Sequence, residues 1–225
     1  MIAVFLPLAL ALAAAPAPEP ARFPAAGGWT IAASYRPPDG KRGRVVLLVH
    51  GVGAGKGEWD PLAQELWKRG IGTLAIDLRG HGESAARAEQ WRDFDMTGEW
   101  PRCEGDLEAA LAFLKKRGVS ASRVGAVGGS IGANLVSQLA ARHPELRFAA
   151  LLSPGADYRG VSPASLKGRR VLVAASPGDA YAYQTARALE SRDKARFLEA
   201  GAGHGAQLLR DPDFLKALVD WIVAK

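Results

Sequence analysis

At 225 residues, with 48% of side chains hydrophobic, the chain can bury one substantial core, and a single α/β domain is the default at that size. The formal net charge is +6, all of it outside the apolar leader, and short separated basic clusters occur at Lys41, Arg42 and Arg44 and at Lys167, Arg169 and Arg170. Nucleic acid would want a continuous basic stripe with interleaved aromatics, so no nucleic-acid partner is expected. Cys103 is the single cysteine, which excludes an intrachain disulfide and a cysteine-based metal site and reads as a small half-buried residue at a helix start.

Residues 1–15 are uncharged and apolar. The run is short for a bilayer span of ~20 residues, and it ends in small residues suited to a signal peptidase near Ala15 or Ala17. The expectation is an export signal over residues 1–17 and one domain over 18–225. The protein would then be periplasmic or secreted, without stable membrane insertion after processing. The alternative is an uncleaved anchor.

Past a Pro/Ala-rich linker, two apolar stretches flank Gly27-Gly28 and predict an edge hairpin. Residues 44–49, Arg-Val-Val-Leu-Leu-Val, form an apolar run of the kind buried on both faces of a parallel sheet. His50-Gly51-Val52-Gly53 follows it. Asp60-Pro61 predicts a helix, with the aspartate as N-cap and the proline in the first turn. A second buried strand, residues 71–78, runs into Asp77-Leu78-Arg79-Gly80-His81-Gly82-Glu83-Ser84. Leu107, Ala110, Leu111 and Leu114 follow the helical spacing i, i+3, i+4, i+7. The strand ending at Gly128 gives way to a helix carrying Ile131, Leu135 and Leu139. Further strands are expected at 148–152, 170–175 and 195–198, a helix through 185–189, and a last helix from Asp211-Pro212. The alternation of strand and helix predicts an α/β fold, a mostly parallel twisted sheet with helices on both faces.

Gly128, Ser130 and Gly132 fit G-x-S-x-G, in which a serine occupies a tight strand-to-helix turn. Small neighbours allow the close approach, and the new helix's free N–H groups stand behind the serine. Three other strand ends carry notable residues: His50-Gly51-Val52, Gly178-Asp179 and Gly203-His204-Gly205. Groups at the carboxyl ends of an open α/β sheet converge in space.

With these motifs in the order Ser130, Asp179, His204, and with the 77–84 turn, the chain resembles the α/β-hydrolase superfamily, in particular its small serine-esterase and dienelactone-hydrolase-like members. The resemblance extends from Arg44 onward. It implies an α/β-hydrolase fold with a minimal lid, Ser130 as nucleophile, His204 as base and Asp179 as acid. Asp157, after the preceding strand, is the alternative acid. It further implies an oxyanion hole from the backbone N–H groups of Val52 and Ile131. His50 and His81 take structural positions, and His143 lies at a helix end. Neither a metal nor an organic cofactor is expected. Glu58 stands where a P-loop would need Ser or Thr.

The segment between the 77–84 turn and Arg102 holds Trp91, Phe94, Met96 and Trp100. With Tyr158, the residues Trp91 and Trp100 are candidates for a wall over the acyl pocket. The implied reaction is hydrolysis of small to medium carboxylic esters through an acyl-enzyme intermediate. The same constellation would serve a thioesterase, amidase or peptidase, and a non-catalytic binding protein of this fold is the competing class.

Overall fold

The computed structural model describes residues 17–40, 43–84 and 90–224. Its strands are β1 (Glu19–Ala25), β2 (Trp29–Arg36), β3 (Val45–Val49), β4 (Gly72–Ile76), β5 (Val124–Gly129), β6 (Ala149–Leu152), β7 (Val171–Ala175) and β8 (Arg196–Glu199). They form one sheet in the order β1-β2-β4-β3-β5-β6-β7-β8. The β1–β2 hairpin pairs antiparallel and joins β4 antiparallel, while β4 through β8 are parallel. The helices are α1 (Asp60–Trp67), α2 (Phe94–Thr97), α3 (Glu99–Arg102), α4 (Glu104–Lys116), α5 (Ile131–Arg142), α6 (Ala180–Asp193) and α7 (Pro212–Val223).

Strand β3 shows why the sheet sits between two helical layers. Val45, Leu47 and Val49 pack with residues of α4, α5 and α6, whereas Val46 and Leu48 pack with α1 and α7. Alternate side chains of a strand point to opposite faces, so an all-apolar strand must be covered on both. The predicted α/β architecture is the one observed.

Two helix starts with the same dipeptide behave differently. Asp211 caps α7, its carboxylate accepting from the N–H groups of Asp213 and Phe214. Asp60, expected to cap α1, is instead its first helical residue, and Trp59 occupies the cap with no side-chain bond. A 3-10 turn, Lys56–Trp59, leads into α1 with Trp59 already near helical geometry, φ −89° and ψ −3°. No extended residue is left for a side chain to cap from. Cys103 is fully buried rather than half-buried. Two of the basic residues serve as packing elements: Arg169 donates to the carbonyls of Ala140 in α5 and of His143 and Leu146 beyond it, and Arg170 lies over Trp221, whereas Lys167 is exposed. Lys41 and Arg42 lie outside the described residues.

The turn from β5 into α5 depends on two glycines. A Cβ on Gly128 would stand 2.2 Å from the Gly132 carbonyl oxygen, and one on Gly132 would stand 2.4 Å from that of Val49. Both atoms met are backbone and have no rotamer to escape into. Gly132→Ala is therefore expected to lower unfolding free energy by about 3 kcal/mol or more in chemical denaturation, the range for overpacking a tight site. Gly57→Ala, where nothing lies within 4 Å, should stay within about 0.5 kcal/mol as a surface change.

His143, at the end of α5, lies 2.9 Å from Glu108 and 3.1 Å from Glu145. Partial burial works against its charged form, but the two carboxylates outweigh it and hold the imidazole above its usual value. A raised folded-state value means the stabilisation is complete below the unfolded histidine value, about 6.5, and is lost as pH rises through the folded one. The stability difference between wild type and His143→Asn should thus shrink as pH rises from 6 toward 8, measured by urea unfolding of both proteins across that range.

Candidate active site

Ser130 is one of four non-glycine residues with positive φ in the described backbone. Ser130, between β5 and α5, adopts φ 58° and ψ −128°, a conformation that costs a non-glycine residue on the order of 1–3 kcal/mol. Its N–H donates to the Leu152 carbonyl at 2.9 Å, and its own carbonyl accepts from Ala133 at 2.9 Å. Those two bonds hold the peptide in place and leave the side chain half-exposed at the sheet's carboxyl edge. The N–H of Ile131 opens the first turn of α5, where helical N–H groups lack intrahelical partners.

The loop after β3 runs directly against this serine. A Cβ on Gly51 would lie 2.9 Å from Ser130 Cβ, so only a bare backbone brings Val52 alongside. Two histidines hold the loop. His50 Nε2 accepts from Leu78 N–H at 3.0 Å, which leaves Nδ1–H to donate to the Gly51 carbonyl at 2.6 Å. His81 Nε2 accepts from Gly53 N–H at 3.2 Å, and its Nδ1–H donates to the Arg79 carbonyl at 2.9 Å. Burial, the leading cause for both, pushes their values down, His81 to about 3. Each ring is therefore neutral and uses one nitrogen as donor and one as acceptor. Arg79 itself is buried between Asp106 and Glu99, 2.8 Å from each.

Glu58 sits under the same loop. Burial raises its carboxyl to about 7 against the pull of the Gly51 N–H, and among the described residues its buried Oε1 has no hydrogen-bond partner.

On the other side of Ser130, His204 Nδ1 lies 2.6 Å from Asp179 Oδ2. Asp179 begins the turn into α6, and His204 precedes a short 3-10 segment, Gly205–Arg210. The histidine loop packs on the serine turn: a Cβ on Gly205 would be 3.6 Å from Ser130 N. Gly205 N–H also donates to Ser153 Oγ at 3.0 Å. Ser153 is fully buried at the end of β6 with a left-handed φ of 51°. Asp157, the alternative acid, turns its carboxylate to its own loop, accepting from Gly160 N–H at 2.8 Å and Ser162 Oγ at 2.9 Å.

The three aromatic candidates part company. Tyr158 is half-buried, 6.1 Å from His204 and 5.6 Å from Tyr181 between ring centres. Trp91 stacks on His81 at 5.5 Å and lies under Gly53, so it braces the loop after β3. Trp100 is 1% exposed; it packs against Phe94 and His81, and its Nε1–H donates to Asp95 at 3.0 Å. Its ring is closed to solvent, unlike the half-buried Tyr158. Arg159 stacks on Trp100 and pairs with Asp95, tying this segment to the loop after β6. Residues 85–89, part of the same segment, lie outside the described residues.

Asn134 was not singled out by sequence reasoning, although it is four residues beyond Ser130 on the same helix and fully buried. Its Nδ2 donates to the Gly155 and Val161 carbonyls at 2.9 and 2.7 Å, and its Oδ1 accepts from Gly155 N–H at 3.2 Å. One amide thereby clamps both ends of the loop bearing Tyr158. The available signal was an amide on the otherwise apolar face of Ile131, Leu135 and Leu139; a buried polar group must find partners.

Comparison with known proteins agrees with this fold. A monoacylglycerol lipase from Mycolicibacterium smegmatis is 29% identical over 158 residues, which cover 69% of this chain and 54% of that protein. The chain thus spans about half the length of this curated relative. An esterase from Pyrococcus furiosus superposes with a TM-score of 0.71 at 15% identity, over 99% of this chain and 94% of that one. A dienelactone hydrolase from Anabaena variabilis gives 0.66 at 19% identity, over 91% and 95%. At such identities the likeness is one of fold, the α/β-hydrolase fold. The serine aminopeptidase S33 family matches residues 40–217, most of the chain, and the protein belongs to that family of α/β-hydrolases.

Proposed function

We propose that the protein is a serine hydrolase that cleaves carboxylic esters of small to medium acyl groups through an acyl-enzyme intermediate. The observation that carries this reading is the 2.6 Å contact between His204 Nδ1 and Asp179 on a loop packed against the strained Ser130 turn. A serine hydroxyl is a weak nucleophile and needs a base within reach. In this reaction Ser130 Oγ attacks the ester carbonyl and its proton passes to His204 Nε2. Asp179 holds the Nδ1–H tautomer and stabilises the imidazolium. The oxyanion is received by the N–H groups of Ile131 and Val52, the second held by a loop whose two histidines carry no charge. His204 returns the proton to the leaving alcohol, and water completes the cycle by the same route. The likeness to a monoacylglycerol lipase and an esterase supports ester over amide substrates, and the aminopeptidase name of the family makes the amide the class to test against. A matched p-nitrophenyl ester and p-nitroanilide separate the two: anilide turnover that Ser130→Ala abolishes would assign a peptidase, and ester turnover without it an esterase.

Ser130→Ala and His204→Ala should each lower kcat for p-nitrophenyl acetate by on the order of 10⁴ or more, and Asp179→Asn by about 10³–10⁴. Asp157→Asn should lose far less. An organophosphonate should add mass at Ser130 alone. Background-level rates shared by wild type and all these variants would leave a binding protein instead.

We also propose that the protein is exported. The support is the apolar run over residues 1–15, ending in small residues; residues 1–16 lie outside the described structure. No helix among the described residues is long and apolar enough to cross a membrane. N-terminal sequencing of protein recovered from the cell envelope or medium should begin just after Ala15 or Ala17, and an intact Met1 there would overturn export with cleavage.

A further inference from the structure

The strand order divides the space around Ser130. β3 flanks β5 on one side, with β6, β7 and β8 on the other. Val52 leaves β3, whereas Tyr158, Asp179 and His204 leave β6, β7 and β8. An ester whose carbonyl oxygen turns toward Val52 and Ile131 therefore directs its leaving oxygen toward the β6–β8 side. That is also the side from which His204 must return its proton.

The Tyr158 hydroxyl stands on that side. It faces the Ser130 side chain, and it donates to the Ser153 carbonyl at 3.4 Å, a distance at which little is lost when a better acceptor arrives. The ring is seated on Gly155, where a Cβ would come within 2.6 Å of it. Gly155 and Val161, on either side of Tyr158, are both bonded to Asn134 of the nucleophile's helix, and the Tyr158 and Val161 backbones pair with each other at 2.9 and 3.0 Å. The hydroxyl is thus fixed relative to the serine without touching the oxyanion side.

Resting on the Ser130–His204–Asp179 reading above, we propose that Tyr158 is a catalytic residue that donates a hydrogen bond to the leaving-group oxygen of the ester. Ser130 Oγ forms the new acyl bond, and the bond between carbonyl carbon and leaving oxygen breaks. Its electron pair goes to that oxygen, which takes its proton from His204 Nε2. Tyr158 keeps its own proton and shares the charge that accumulates before the transfer is complete. Burial and the charge of Asp179 raise the phenol above its ordinary value, so it remains a donor over the working range.

Leaving groups that hold negative charge poorly need this bond most. The test is a series with one acyl group, the acetates of p-nitrophenol, phenol, trifluoroethanol and ethanol, run on wild type and Tyr158→Phe. Active-site titration with the organophosphonate normalises the enzyme concentration. Tyr158→Phe should lose about tenfold or more in kcat/KM on ethyl acetate, the size of one hydrogen bond to a charged group. The loss should shrink steadily toward p-nitrophenyl acetate, so that log kcat/KM falls more steeply with leaving-group pKa than in wild type. An unchanged slope overturns the proposal, whether the rates match wild type or are lowered uniformly, since a ring that only packs moves all substrates together. Ser130→Ala, run in parallel, separates the premises: wild-type turnover there would remove the nucleophile itself, whereas an unchanged slope in a Ser130-dependent enzyme removes only the tyrosine's part.

Discussion

Everything at the catalytic edge depends on how closely α5 approaches the sheet. With Gly128 under Gly132 and Gly132 under the carbonyls of Val49 and His50, the helix starts almost on top of β3 and β5. The chain then has one residue in which to reverse from strand to helix, and that residue takes a conformation most side chains avoid. The strain is not local waste. It leaves a hydroxyl at the strand edge, the first N–H of α5 immediately after it, and the β3 loop in contact with it. The same close approach explains why Gly51 must be bare.

Around that point the structure spends buried polar groups on loops rather than on the core. His50 and His81 act as two-ended spacers for the β3 loop. Ser153 holds the histidine loop, and Asn134 holds the loop after β6. A buried hydrogen-bonding group left unpaired costs about 1–3 kcal/mol, so each of these connections penalises the misplaced loop more than it rewards the correct one. Glu58, with a carboxyl value near neutrality and one oxygen unpaired, is the exception in this set and the least settled group under the site.

The sheet and its central strands were legible because parallel strands covered on both faces are written as unbroken apolar runs, as in residues 45–49. Ser130 and His204 were legible because glycines mark their turns. What was hidden is whether a side chain is consumed by its own loop. Asp157 and Asp179 both follow a strand and a glycine, and only the folded chain shows that Gly160 and Ser162 occupy the first. Asp60 and Asp211 both precede proline, but Trp59 has already turned into the helix. Trp91 and Trp100 lie in a segment with no period to read, so nothing in the sequence separated the brace from the core ring.

The tie between Arg159 and the α2–α3 segment has a consequence for how the two loops hold together. Arg159 reaches across to Asp95 and Trp100 from a loop otherwise anchored in the interior. Both partners of the ion pair are substantially exposed, 39% and 54%, so dissolved ions screen their attraction far more than they screen buried contacts. The two loops are thereby joined by a contact that loosens in brine, while the buried Asn134 bonds at the base of the Arg159 loop keep their spacing.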